Sequence, residues 1–241
     1  MSWDNSRADN YDNLLWVNDA TDLSVVLRGV DPKPGDYALD AGCGTGAVGA
    51  ALSPYVKHVD MLDSSEEMLE KCRERCIGDK FTIEAANIVH GLDVLAYDIA
   101  VMRMVLHHVV TDEVVAMASV ASSLSAGGRL CVVEGVPPRG CLGWFTEMFK
   151  VKEARNCYTP DTLVGLVDEQ CRVKRVDVVV QQGMSLNNWL RNSEKEQAKR
   201  DSIWWLHQGA PQYVKDAYNM RFVDGDIIMD WQTCIVVGVK E

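Results

Sequence analysis

Ala38-Leu39-Asp40-Ala41-Gly42-Cys43-Gly44-Thr45-Gly46 decides how this chain folds. A short, largely apolar run passes into three glycines at alternate positions, and the 46–53 segment then takes on helical period. The stretch reads as strand, glycine-rich turn and helix. Glycine is needed in such a turn because a side chain would block close approach of a ligand to the backbone at the strand end. In doubly wound sheets that end of the strands, where their order reverses, is where ligands bind.

Outward from this turn, runs rich in Val, Ile and Leu alternate with stretches of helical period, the pattern of a parallel sheet flanked by helices. The pattern predicts two helices over 6–29, strands over 36–41, 58–62, 80–84, 97–102, 128–134 and 173–180, and a final strand within 226–240. Helices are predicted over 46–53, 65–77 and 111–125, with Gly127-Gly128 as the turn before the fifth strand. Thr159 suits an N-cap and Pro160 a first helical position, and Leu163, Leu166 and Val167 give the following helix one apolar stripe. Between the last two strands, 184–221 is polar and tryptophan-bearing and reads as a helical insertion. Trp204, Trp205 and Leu206 cluster there, a group read first as packing and otherwise as a wall over a ligand pocket.

A length of 241 residues suits one α/β domain with an added cap, and 47% hydrophobic against 24% charged residues marks it as globular. Lys plus Arg total 24 against 35 Asp plus Glu, a net charge of -11 that disfavours nucleic acid as a partner. Arg172, Lys174 and Arg175 alternate with valine and read as the wet side of a strand. The eight cysteines form no CxxC pair, so reduced thiols and no metal site are expected, even with Cys72 and Cys76 four apart on one helix. Residues 1–12 lack the form of a secretory signal and no run is long enough to span a membrane, so a cytoplasmic location is expected.

The glycines alone do not choose a cofactor, because Gly42-x-Gly44-x-x-Ala47 with Asp63 further on also satisfies the dinucleotide fingerprint. Three features favour another reading. Asp40 precedes the first glycine by two residues, two helices precede the first strand, and the chain ends in two strands parted by an insertion.

With these features the sequence resembles the class I methyltransferases, in particular the group of ubiquinone/menaquinone-biosynthesis and related small-molecule methyltransferases. Asp40 to Gly46 is similar to the family's first motif, Trp3 to Tyr11-Asp12 to its N-terminal "W…YD" helix, and Tyr97 to His108 to its fourth strand and "LHH" loop. Ser125-Ala126-Gly127-Gly128-Arg129-Leu130 resembles its turn into the fifth strand. The resemblance implies a Rossmann-like, seven-stranded, mostly parallel sheet with helices on both faces, the last strand antiparallel and the helical insertion before it. It implies S-adenosylmethionine as cofactor and a small organic acceptor, with no nucleic acid, while homo-oligomer formation stays open. One domain over 1–241 is expected, with a helical cap at 1–30 and the 184–221 insertion near the acceptor site.

The same resemblance assigns the cofactor to Tyr11, Asp40, Gly42, Gly44, Asp63, Ser64, Asn87, Ile88 and Arg103. Asp63 would accept both ribose hydroxyls, as a carboxylate at a strand end can. Ser64-Ser65-Glu66-Glu67 also has the form of a capping box, so for these serine side chains a helix cap is the competing reading. Asn87 stands where the family usually has Asp against adenine; it keeps a carbonyl acceptor, and a plain turn residue is the alternative. Arg103 and Met104 would lie beside the methionine part of the cofactor, through backbone atoms as much as side chains. Tyr11 would close over the site or act as a hydrophobic staple. His107 and His108 are the candidates for a general base, which histidine can supply near neutral pH, although either can instead pack or cap. Trp144, Phe145, Met148 and Phe149 in the 140–157 segment suit an apolar acceptor wall or ordinary core. A nicotinamide-dependent oxidoreductase and a non-catalytic cofactor-binding regulator remain the alternatives.

Overall fold

The computed structural model describes residues 8–17, 20–92 and 96–241. The strands are β1 Tyr37–Ala41, β2 His58–Asp63, β3 Phe81–Ala85, β4 Tyr97–Arg103, β5 Leu124–Val136, β6 Arg172–Ser185, β7 Arg221–Val223 and β8 Asp226–Val239. The helices are α1 Ala8–Tyr11, α2 Ala20–Val30, α3 Ala47–Leu52, α4 Glu66–Arg75, α5 Glu113–Ser122, α6 Leu142–Lys152, α7 Pro160–Asp168, α8 Leu186–Ser193, α9 Gln197–Gln208 and α10 Gln212–Ala217. They form one sheet in the order β3-β2-β1-β4-β5-β8-β6, with β7 attached to β8. β1 to β5 run parallel where they pair, and β8 lies antiparallel between β5 and β6.

Side chains alternate across a strand, so each central strand feeds two cores. Leu39, Ala100, Met102 and Val132 pack with α5 and α7 residues such as Met117, Val120, Leu163 and Val167. Ala38, Ile99, Val101, Cys131 and Val133 pack on the opposite face with Val26, Leu52 and Leu69 of α2, α3 and α4. α7 begins as its sequence requires, with the Thr159 hydroxyl accepting from the Thr162 N–H and Pro160 in the first turn. Asp98 is structural, its Oδ2 accepting from the Tyr37 N–H at 3.0 Å.

The sheet has eight strands rather than seven. The extra one, β7, is made by Asp224-Gly225, which sit at φ 50° and 77° and turn Val223 back onto Asp226. A two-residue turn with both φ values positive matches strand twist, and Asp-Gly is its ordinary sequence. β5 starts at Leu124, so Gly127-Gly128 lies inside the strand instead of before it. Tyr97 pairs with Leu124 but Ile99 with Arg129, and Gly127 at φ 80° absorbs the extra residues as a bulge. β6 also runs on to Ser185, five residues past its expected end.

The 184–221 segment forms the end of β6 and three helices over a third core, in which Leu186, Leu190, Ile203, Val214 and Tyr218 meet Met148 and Phe149 of α6. Packing describes only part of the Trp204-Trp205-Leu206 cluster. Trp204 rests against that core, while Trp205 is 63% exposed and Leu206 37%. Neither tryptophan lines the crevice or the aromatic cavity of the site. The expected wet strand is present: Arg172 pairs with Glu241 and Arg175 with Asp177. Cys72 of α4 and Cys76, the residue that caps its C-terminus, are both buried beneath the glycine turn.

Candidate active site

A crevice of about 270 Å³ opens at the carboxyl ends of β1, β2 and β4, where the sheet order reverses. The glycine turn forms its floor. Gly42, Gly44 and Gly46 have φ of 77°, 53° and 84°, and the N–H groups of Gly42 and Cys43 both donate to the Leu62 carbonyl, at 2.7 and 2.9 Å. A Cβ on Gly42 would lie 2.4 Å from Val105 Cγ2, whereas one on Gly44 would enter open space, with Tyr11 Cε1 nearest at 4.0 Å. Both alanine variants carry the left-handed strain of about 1–2 kcal/mol, and only Gly42→Ala adds a core clash of roughly 1–3 kcal/mol. Urea unfolding should therefore find Gly42→Ala the less stable; equal losses would show that Val105 gives way freely.

Asp63 ends β2 with both oxygens on the backbone: Oδ2 accepts from Gly44 N–H at 2.8 Å and Oδ1 from Ser65 N–H at 2.9 Å. Burial raises its pKa, against the backbone N–H groups of Ser65, Gly44 and Ser64. Each oxygen keeps a second lone pair for a ligand hydroxyl. Ser64 is exposed on the rim of the crevice, and Ser65 is the helix cap, its Oγ accepting from Met68 N–H at 3.3 Å. Asp40 is almost fully buried and accepts from Gly49 N–H at 2.8 Å, which binds α3 to the sheet while leaving the residue in the lining. Burial pushes its pKa up to about 7. Asn87 and Ile88 also line the crevice, and the Asn87 carbonyl oxygen accepts from Val89 N–H at 3.0 Å, so the turn-residue reading holds at least for one lone pair.

Arg103 lines the crevice, but its side chain has a second set of partners. Its guanidinium turns into the N-terminal segment, donating to Asp22 Oδ2 at 2.9 Å and to the carbonyls of Val17 and Trp16 at 3.1 and 2.8 Å. A buried guanidinium needs such acceptors, and here they fasten the 11–17 segment across the site. Asp12 secures the same segment through Thr45 Oγ1 at 2.6 Å and Arg75 at 3.0 Å. Tyr11 lines the crevice and meets Trp16 edge-on at 5.6 Å. Trp3 lies outside the described residues.

A second, aromatic cavity of about 150 Å³ adjoins the first and shares Tyr11, Met104 and His108 with it. Met104 holds φ 57° at this junction, its N–H donating to the Val133 carbonyl at 2.8 Å. Trp144, Phe145, Met148 and Phe149 wall the cavity, and so do Trp189 of α8 and Tyr218 after α10. His107 and His108 both line it, with ring centroids 3.9 Å apart.

Sequence reasoning missed Glu134. This fully buried carboxylate of β5 lies 2.7 Å from His107 Nδ1 through Oε2, and its Oε1 accepts from His107 N–H at 3.3 Å. Burial raises Glu134 to about 7, partly offset by Arg155 and the backbone N–H groups of His107, Leu106 and Val105. Burial, then the Arg155 charge, holds His107 well below the ordinary histidine range. The imidazole is therefore neutral near pH 7, and when Glu134 is ionised Nδ1 must be the donor to it, which leaves Nε2 as a proton acceptor. The signal was available: a lone acid in Leu130-Cys131-Val132-Val133-Glu134-Gly135-Val136 must find a partner if the strand is buried.

Residues 39–130 match the family model described as a methyltransferase domain. The YcgJ protein of Bacillus subtilis has the same fold, with a TM-score of 0.77 at 17% identity over 91% of this chain and 97% of that one. A phosphoethanolamine N-methyltransferase of Haemonchus contortus, solved with S-adenosylhomocysteine and phosphomonomethylethanolamine, aligns with 98% of this chain and 57% of its own at a TM-score of 0.67 and 15% identity. The demethylmenaquinone methyltransferase of Clavibacter sepedonicus is 32% identical over 141 residues, 55% of this chain and 56% of that protein. The chain spans about half the length of the curated relatives it matches, or less. Among the described residues, no helix is long and apolar enough to cross a membrane.

Proposed function

We propose that this protein transfers the methyl group of S-adenosylmethionine to a nucleophilic atom of a small organic acceptor and releases S-adenosylhomocysteine. The carrying observation is that a polar crevice at the strand ends and an aromatic cavity meet at Tyr11, Met104 and His108. Donor and acceptor need such a shared boundary, because displacement at carbon requires close, in-line contact. The crevice fits the donor on its own chemistry. Its floor at Gly44 is a hollow that a Cβ would fill, and Asp63 offers open lone pairs at the place of a ribose. The acid-rich edge formed by Asp40 and Asp63 also suits a cationic ligand.

S-adenosylmethionine supplies an electrophilic methyl on a sulfonium. In this reading Gly42, Gly44, Asp63, Ser64, Asn87 and Ile88 hold its adenosyl end, Asp40 lies nearer its charge, and Arg103 acts by fastening the N-terminal cap rather than by touching it. Tyr11 and Trp16 of that cap help exclude water from the junction. His107 takes the acceptor's proton on Nε2, with Glu134 as the positioning residue behind it, and His108 forms the wall between the two cavities.

Calorimetry on the wild-type chain tests the cofactor. S-adenosylmethionine and S-adenosylhomocysteine are expected to bind with micromolar Kd and NADH to show no heat; the reverse preference would turn the site into that of an oxidoreductase. Release of S-adenosylhomocysteine across phenol, amine and thiol acceptors then separates an enzyme from a silent binder.

A further inference from the structure

The aromatic cavity contains two polar groups that methyl transfer itself does not explain. Arg155 lies in its wall with the guanidinium 4.0 Å above the Phe149 ring, and Phe145 is 5.9 Å away. Its one hydrogen bond among the described residues is a long one, from Nε to the Asn156 carbonyl at 3.4 Å. Neither Nη has a hydrogen bond or ion pair there. Tyr218 is 4% exposed, and its hydroxyl has no partner either. The guanidinium is part-buried, with the charges of Glu134 and Glu153 acting on it, and the Tyr218 hydroxyl is buried without a partner among the described residues; free donors in such a wall mark where a ligand's acceptor atoms would sit.

The cavity also limits what that ligand can be. About 150 Å³ is the size of an engineered protein cavity that takes up benzene, so one six-membered ring fits within it. Trp144, Phe149, Trp189 and Trp231 offer faces and edges to such a ring. The Arg155 loop is fixed to the histidine loop: Asn156 N–H donates to the His107 carbonyl at 3.0 Å, and Asn156 Nδ2 reaches the carbonyls of Leu106 and Val109 at 3.3 and 3.0 Å. Lys152 lines the same cavity, its Nζ 5.4 Å over the Trp189 ring, but it is shared with Glu153 and the Ser193 carbonyl, so Arg155 is the cation of the wall whose Nη atoms have no hydrogen bond among the described residues.

We infer that the acceptor is a single-ring aromatic compound bearing an anionic group, such as a carboxylate, which Arg155 holds through its Nη atoms with the Tyr218 hydroxyl as the second anchor. This rests on the methyl-transfer reading above. The rigid, planar fork of arginine suits a carboxylate at one end of the ring, so that a hydroxyl at the other faces His107. An aromatic cage for a cationic amine would share the ring faces but would not place an unpaired guanidinium among them.

Calorimetry on the S-adenosylhomocysteine-loaded protein, with 4-hydroxybenzoate, phenol and 4-hydroxybenzylamine as probes, decides the matter. The expected result is that 4-hydroxybenzoate binds at least about tenfold more tightly than phenol, the range of a charge-assisted hydrogen bond. Arg155→Met should erase that preference while S-adenosylhomocysteine binds unchanged, which also reports that the variant is folded. Equal binding of phenol, preference for the amine, binding of none of the three, or an intact preference in Arg155→Met overturns the assignment. Failure of S-adenosylhomocysteine to bind the wild-type chain overturns the cofactor reading beneath it, and the two failures are read from separate titrations.

Discussion

Glu134→Gln is expected to lower kcat by roughly 10²–10⁴-fold, the worth of a positioned general base, with any acceptor that yields S-adenosylhomocysteine. Glutamine preserves shape and removes charge, so the loss measures what the carboxylate does for His107. As His107 gains a proton it becomes an imidazolium in a buried place, and the carboxylate 2.7 Å away neutralises it. An amide cannot. Its oxygen can face only one of the two donors that Glu134 now serves, the His107 ring and the His107 backbone, and its NH₂ must face the other.

The pH profile gives the same prediction a second readout. Glu134 has a pKa raised to about 7, so it is protonated and uncharged below that value and ionised above it. His107 stays neutral throughout, because its own pKa is depressed. Activity should therefore rise with pH through about 7 in the wild type, and the Gln variant should lack that limb. Imidazole ¹⁵N shifts offer a check that needs no acceptor: Nδ1–H on His107 in the wild type, and a changed tautomer balance in Glu134→Gln. A variant with unaltered rate, profile and tautomer would leave Glu134 as an incidental buried acid.

The fold was legible because its governing features are local. Three alternate glycines after a buried run, a carboxylate at the end of the next hydrophobic strand, and Thr159-Pro160 opening a helix each leave a short-range mark. Boundaries failed where tertiary pairing took over: Leu124 to Gly128 joins β5 only because Tyr97 and Lys240 supply partners. β7 was missed although Asp224-Gly225 is a strong turn signal, since three exposed residues carry no periodicity. The site divided in the same way. Asp63 and the glycines serve the crevice from fixed points on one motif. The fate of the Arg103 side chain depends on Asp22, 81 positions earlier, and the Arg155 and Tyr218 anchors belong to separate segments that meet only in the folded cap.

The second large effect is expected at Asp63. Asp63→Ala should weaken S-adenosylhomocysteine binding by about 100-fold or more, since hydrogen bonds to a charged group contribute roughly 1.5–3 kcal/mol each and two ribose hydroxyls would lose theirs. The carboxylate also joins Gly44 N–H to Ser65 N–H, so truncation both removes the ligand's acceptor and loosens the turn beneath it. Asp63→Asn separates these contributions. It keeps one oxygen, whose two lone pairs can retain one backbone contact and one ribose hydroxyl, and its affinity should fall between wild type and alanine while its Tm stays nearer wild type. The sheet core does not depend on this half-buried side chain, so both variants should unfold cooperatively. Calorimetric Kd values together with thermal melts decide the point: unchanged affinity in a folded Asp63→Ala would mean that the adenosyl group lies elsewhere, and the proposed division of the site into donor crevice and acceptor cavity would not stand.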